Sequence, residues 1–154
     1  MKDEDYMARA IALSQSAAAR GDEPFGAVLV KDGEIVCEFE NAIHTRHDPT
    51  LHAELGLLRQ FFKENDKKDL KDYTLYSSCE PCFMCSGALA WAKIGRLVYG
   101  ATHSELEHLF GRGDCGCCEY VFAHSLWKPQ VTAGLLSEDA IRVLAAYFPH
   151  GKGV

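Results

Sequence analysis

No apolar run in these 154 residues approaches the ~18 needed to cross a bilayer, so a membrane-spanning helix is excluded. Positive charge is also short. Lys and Arg number 16 against 22 Asp and Glu, for a formal net charge of −6 and a pI near 5.6. A protein that grips nucleic acid by its phosphates needs the opposite balance. Nucleic acid is therefore the less expected partner, and a small, weakly charged substrate is favoured. Internal repeats and low-complexity linkers are absent. The opening residues, Met1-Lys2-Asp3-Glu4-Asp5, are too acidic for a secretory or mitochondrial leader. The expectation is one domain, residues 1–154, working in the cytoplasm. The seven cysteines, an odd number, make a poor disulfide framework. In a reducing compartment, clustered Cys with His nearby points instead to metal or catalysis.

The rest of the chain alternates between helical and strand patterns. Met7, Ala10, Ile11, Ser14 and Ala18 fall at helical spacing and predict a helix over Asp3–Arg20, stopped by Gly21. Phe25–Val30 and Glu34–Asn41 read as antiparallel strands around a Lys31-Asp32-Gly33 turn. A helix is expected over Leu51–Phe62, capped by Asp48 or Thr50, followed by a solvated charge run, Glu64–Asp72. Thr74–Ser77 predicts a strand, Cys82–Lys93 a helix and Arg96–Ala101 another strand. His103–Trp127 gives no clear pattern beyond a possible short helix, a Gly-rich turn and a Cys cluster. Gln130–Ala133 is a fifth strand candidate, and a last helix starts near Ser137 and ends before Pro149. This order indicates an α/β sandwich. The strands either side of the Cys82 helix should run parallel, joined by a crossover.

Two helix starts hold every obvious ligand. His52 and Glu54 open one, and Cys82 and Cys85 lie at i and i+3 in the first turn of the other. If those starts converge, they offer one imidazole and two thiolates. Three protein ligands with an open fourth position is the pattern of catalytic zinc. A helix N-terminus also stabilises a thiolate. Glu54 is close enough to His52 to sit beside the metal without ligating it, as a proton shuttle. The alternative is a closed structural zinc knot, with Glu54 or another Cys as fourth ligand.

Three stretches carry a family resemblance: Pro24-Phe25-Gly26-Ala27-Val28, Asp48-Pro49-Thr50-Leu51-His52-Ala53-Glu54, and Ser78-Cys79-Glu80-Pro81-Cys82-Phe83-Met84-Cys85-Ser86-Gly87-Ala88. Together they resemble the cytidine deaminase-like superfamily, whose signature is H-x-E…P-C-x-x-C. Within it they are most similar to the branch of guanine deaminases and tRNA adenosine deaminases. The resemblance runs from about Pro24 to Ala101. It implies a three-layer α-β-α sandwich with a mixed five-stranded sheet, a homodimer or larger homo-oligomer, and a zinc ion (Zn2+) held by His52, Cys82 and Cys85. Glu54 would be the general acid/base of a hydrolytic deamination that releases ammonia from an exocyclic amino group. The resemblance further implies that Asn41 and the backbone N–H of Ala53 bind the substrate ring, with Phe25 in its apolar wall. A late acid against the substrate edge is also expected, for which Asp114 and Glu119 are candidates. Leu51 departs from the branch, where Ala is usual, and would alter the pocket wall.

The substrate class these features favour is a free nucleobase of the guanine type. Residues 115–154 contain only Lys128, Arg142 and Lys152 as cations, which argues against gripping an anticodon stem. The alternatives are a tRNA adenosine deaminase, a cytosine, cytidine or amino-triazine deaminase, and a catalytically silent zinc scaffold. Cys115, Cys117 and Cys118 read as an incidental or apolar cluster near the pocket rather than a second metal site with His103 or His108. Cys37 and Cys79 read as core, and Trp91 and Trp127 as core or subunit contact.

Overall fold

A computed structural model describes residues 1–111 and 118–148. The elements in chain order are α1 (Asp3–Arg20), β1 (Gly26–Lys31), β2 (Glu34–Glu40), α2 (Ala53–Glu64), β3 (Thr74–Cys79), α3 (Phe83–Ala92), β4 (Arg96–Ala101), α4 (His103–Phe110), α5 (Cys118–Ala123), β5 (Gln130–Thr132) and α6 (Ser137–Tyr147). The strands form one mixed sheet in the order β2-β1-β3-β4-β5. β1 pairs antiparallel with β2 and β3, while β3, β4 and β5 are parallel.

Alternation along the strands divides the core in two. Ala27, Leu29, Leu75, Leu97 and Tyr99 face a cluster completed by Leu57, Leu58 and Phe61 of α2, Leu89 of α3, and Phe122 of α5. Val28, Val30, Tyr76 and Val98 face the opposite cluster, with Met7, Ala10 and Ile11 of α1 and Val143 and Leu144 of α6. The result is the expected three-layer sandwich. Burying each large side chain contributes roughly 1.5–3 kcal/mol.

Two glycines set the spacing near the functional edge. A Cβ on Gly26 would collide with the Ala10 carbonyl and lie 2.6 Å from Leu13 Cβ, so glycine lets α1 rest directly on the start of β1. A Cβ on Gly56 would enter the Phe39 ring, so glycine lets α2 close onto β2.

Element ends differ from the sequence expectation for identifiable reasons. α2 starts at Ala53 rather than Leu51, and its N-cap is His52. Asp48 does not cap it. Its Oδ1 accepts from the Thr50 backbone N–H (2.9 Å) and hydroxyl (2.7 Å), which makes a local turn ahead of the helix. α6 starts where expected, but its N-cap is Leu136 in the left-handed region, with Glu138 and Asp139 in the first turn. The unreadable stretch contains α4, whose Thr102 and Glu105 form a reciprocal capping box. That signal was present in the sequence as Thr-x-x-Glu. No helix among the described residues is long and apolar enough to cross a membrane.

Candidate active site

The topology brings four strand ends to one edge of the sheet. β3 and β4 finish there, β2 also finishes there, and β1 begins there, as the pairings Gly26 with Glu40, Ala27 with Ser77, and Cys79 with Ala101 show. Phe25, Asn41, Cys79 with Glu80, and His103 therefore meet. The carboxyl ends of parallel strands are the usual site-bearing edge of an α/β sheet. α2 and α3 point their N-termini at the same place.

His52 and Cys82 are the N-caps of α2 and α3, both in extended backbone and neither making a side-chain cap. Their side chains turn to each other instead, with His52 Nδ1 3.5 Å from Cys82 Sγ. Cys85 joins them from the first turn of α3, and the three ligand atoms all lie within 4.8 Å of one another. A hydrogen bond from Cys85 outweighs burial and, with the His52 contact, brings the Cys82 thiol down to about 4. The hydrogen bond to Cys82, then burial, drives Cys85 strongly up. The Cys82 hydrogen bond, then the charges of Glu54, Cys82 and Glu23, raise His52 against the effect of burial. Two sulfurs and an imidazole converging in a buried corner, with a thiolate at a helix N-terminus, suit a soft divalent ion such as zinc.

Glu54 lies in the first turn of α2 and is buried. Burial, then the neighbouring Cys82 thiolate, pushes its carboxyl up to about 7, with His52 opposing. A carboxyl poised there can both take and give a proton near neutral pH.

The cavity beside these groups has a volume of about 70 Å³ and is lined by Glu23, Phe25, Asn41, His52, Glu54, Cys79, Glu80, Cys82, His103 and Leu106. Asn41 is buried, and its Oδ1 accepts from the backbone N–H groups of Glu23 and Ile43, each at 3.2 Å. Its carbonyl ties the approach to β1 to the loop after β2. The buried Asp22 carboxylate clamps the same loop, accepting from His44 N (2.9 Å), Thr45 N (2.9 Å), Thr45 Oγ1 (2.8 Å) and Arg20 Nε (2.8 Å). Burial alone would raise the Asp22 pKa. Those bonds overcome it and bring the group to about 2. Phe25 presents an apolar wall and packs against both cores. Ala53 opens α2, so its N–H is one of the amides the helix cannot itself satisfy.

Sequence reasoning missed Glu23, Cys79, Glu80, His103 and Leu106 as lining residues. Glu80 is buried, and its carboxylate accepts from His103 N (3.0 Å) and Cys118 N (2.8 Å), so it pins the starts of α4 and α5 to the metal loop. The parallel pairing of β3 with β4 was the available signal, since it sets the loop after Cys79 beside the loop after Ala101. Of the late acids, Asp114 lies outside the described residues, and Glu119 is exposed in the first turn of α5 and does not line the cavity. Leu51 packs against the core and is likewise not among the lining residues. Cys118 is fully buried beside Phe122. Cys115 and Cys117 lie outside the described residues. Among the described residues, the one group able to hold a metal is His52, Cys82 and Cys85.

A family model described as the cytidine and deoxycytidylate deaminase zinc-binding region matches residues 1–101, and the chain belongs to that family of zinc-dependent hydrolytic deaminases. The chain is 42% identical over 106 residues to a guanine deaminase of Bacillus subtilis, covering 68% of each protein. It is 37% identical over 147 residues to a tRNA-specific adenosine deaminase of Haemophilus influenzae, covering 95% of this chain and 83% of that one. Among solved structures, a guanine deaminase from Nitrosomonas europaea superimposes with a TM-score of 0.84 at 25% identity, covering 96% of this chain and 85% of the other.

Proposed function

We propose that the protein deaminates a free nucleobase of the guanine type, with His52, Cys82 and Cys85 holding the zinc and Glu54 moving the protons. The observation that carries this reading is the placement of Glu54, buried in the first turn of α2, in the same small cavity as His52 and Cys82. Zinc, when bound, supplies a water acidic enough to attack at neutral pH. Glu54 takes the proton of that water and gives it to a ring nitrogen of the substrate. It then carries a second proton to the departing amine, which leaves as ammonia. Phe25 excludes water from one side of the ring. Asn41, whose carbonyl is already engaged, offers its amide hydrogens to a ring acceptor, and the Ala53 N–H offers another.

The cavity speaks for a small uncharged substrate. Its described lining carries three carboxylates, from Glu23, Glu54 and Glu80, and no Lys or Arg. A phosphate near that mouth would be repelled. The second reading is adenosine deamination in a tRNA anticodon, and its support is that the match to the tRNA-specific relative covers 95% of this chain. Ammonia release from guanine and from an anticodon hairpin decides between them. Turnover of guanine alone supports the first reading, and turnover of the hairpin alone replaces it with the second.

The working form is proposed to be a homodimer. α3 is apolar on its outer side, where Phe83 and Met84 are partly exposed and Trp91 is 89% exposed. Tyr120, whose ring lies 6.0 Å from that of Phe83, and Leu126, which lines one pocket with Trp91, extend this surface beyond α3. Contiguous apolar area of this kind is unusual on a monomer. A second copy of the same face would cover it.

A further inference from the structure

Glu23 lines the cavity, is 7% exposed, and belongs to no ligand set. Its backbone is fully engaged: the N–H donates to Asn41 Oδ1 at 3.2 Å, and the carbonyl accepts from Phe25 N at 2.9 Å. Its side chain is not. Among the described residues, no hydrogen bond or ion pair reaches the carboxylate. Its charge is nevertheless felt nearby: it helps to raise His52, and after burial it pushes the Tyr147 hydroxyl up. A buried carboxylate without a donor costs free energy. In a cavity that already holds Glu54 and Glu80 the cost is greater, because like charges repel. Glu80 answers its own burial with two backbone N–H groups, and Asp22 does so with three donors from the His44-Thr45 turn and one from Arg20. Glu23 is the exception among the buried acids of this edge.

We infer that Glu23 is a specificity-determining residue whose carboxylate accepts a hydrogen bond from an N–H on the substrate ring. This rests on the guanine-type reading. The amino-bearing carbon of guanine is flanked by a ring N–H, whereas the ring nitrogen beside the amino-bearing carbon of adenine or cytosine carries a lone pair. A carboxylate accepts and cannot donate. It therefore welcomes the first edge and repels the second. A site with an unpaired acceptor rejects an analogue that lacks the donor much more strongly than an apolar wall rejects a missing methylene.

The test uses the zinc-loaded full chain as wild type, Glu23→Gln and Glu23→Ala. Two quantities are measured: kcat/KM for guanine, and the inhibition constant of 2-aminopurine against guanine. 2-Aminopurine keeps the amino group but has a lone pair where guanine has the N–H. Glu23→Ala, which removes the acceptor, should lose about 10- to 100-fold in kcat/KM for guanine, and Glu23→Gln, whose Oε1 still accepts but without charge, should lose less, while the 2-aminopurine constant moves less than about 3-fold or improves. The thermal midpoint of Glu23→Gln should equal or exceed that of wild type, because the carboxylate has no partner to lose in the free protein. Equal losses for both compounds, or a Glu23→Ala protein that handles guanine like wild type, would overturn the assignment while leaving the guanine reading intact. Wild-type protein that releases no ammonia from guanine would overturn both.

Discussion

His52 Nδ1 and Cys82 Sγ, separated by 30 residues in the chain, stand 3.5 Å apart. Neither residue caps its own helix, although each occupies the N-cap position. A cap bond contributes about 1 kcal/mol, and both helices forgo it. The side chains are committed to each other and to Cys85 instead. That geometry makes metal loading the first prediction. Cys82→Ala and Cys85→Ser should each reduce bound zinc from one per chain to a small fraction, measured by atomic emission on purified protein.

Removal of zinc should also destabilise the fold. Zinc binds the assembled site and not an extended chain, so chelation withdraws the linked free energy. Calorimetry before and after chelator treatment should show a lower midpoint, with recovery on adding back one equivalent. In Cys82→Ala the chelator should make no difference.

Asp22 gives a prediction about pH. Its folded pKa lies at about 2, below its ordinary value of 3.8. A group depressed on folding contributes stability above its unfolded pKa and loses it as pH falls towards the folded one. Wild-type stability should therefore decline between about pH 5 and pH 2, and Asp22→Asn should flatten that decline. At neutral pH the variant should be less stable by about 1–3 kcal/mol, because an amide cannot accept from all four donors. Urea melts across this pH range measure both effects. Loosening this loop also frees Asn41, so KM should rise more than kcat falls.

These outcomes bear on how much of the molecule is legible in its sequence. The convergence of His52, Cys82 and Cys85, with Glu54 beside them, was readable because the proposed chemistry needs particular residue types at fixed helical offsets. The central strands were readable because short apolar runs bounded by turn residues are a local signal. Glu80 and His103 were not, since each belongs to a loop that becomes part of the site only through the parallel pairing of β3 with β4. Glu23 was hidden for a related reason. Next to Asp22 it reads as another solvated acid, and only the fold removes it from water. Thr102 and Glu105 were a readable cap that went unused in a stretch with no clear hydrophobic period.

Trp91 tests the proposed homodimer. It is 89% exposed on α3, and an apolar side chain of that size at an interface is a common hot spot. Trp91→Glu should shift the protein from dimer to monomer in sedimentation velocity at micromolar concentration. A wild-type protein that already sediments as a monomer would remove the proposal.

The proposed reaction depends throughout on proton transfer by Glu54, and Glu54→Ala tests it. Zinc content and ammonia release from guanine should be measured on wild type and variant in the same preparation. The expected result is one zinc per chain in both, turnover in the wild type, and a loss of at least about 100-fold in the variant. A variant that keeps its zinc and deaminates at the wild-type rate would refute the role given to Glu54.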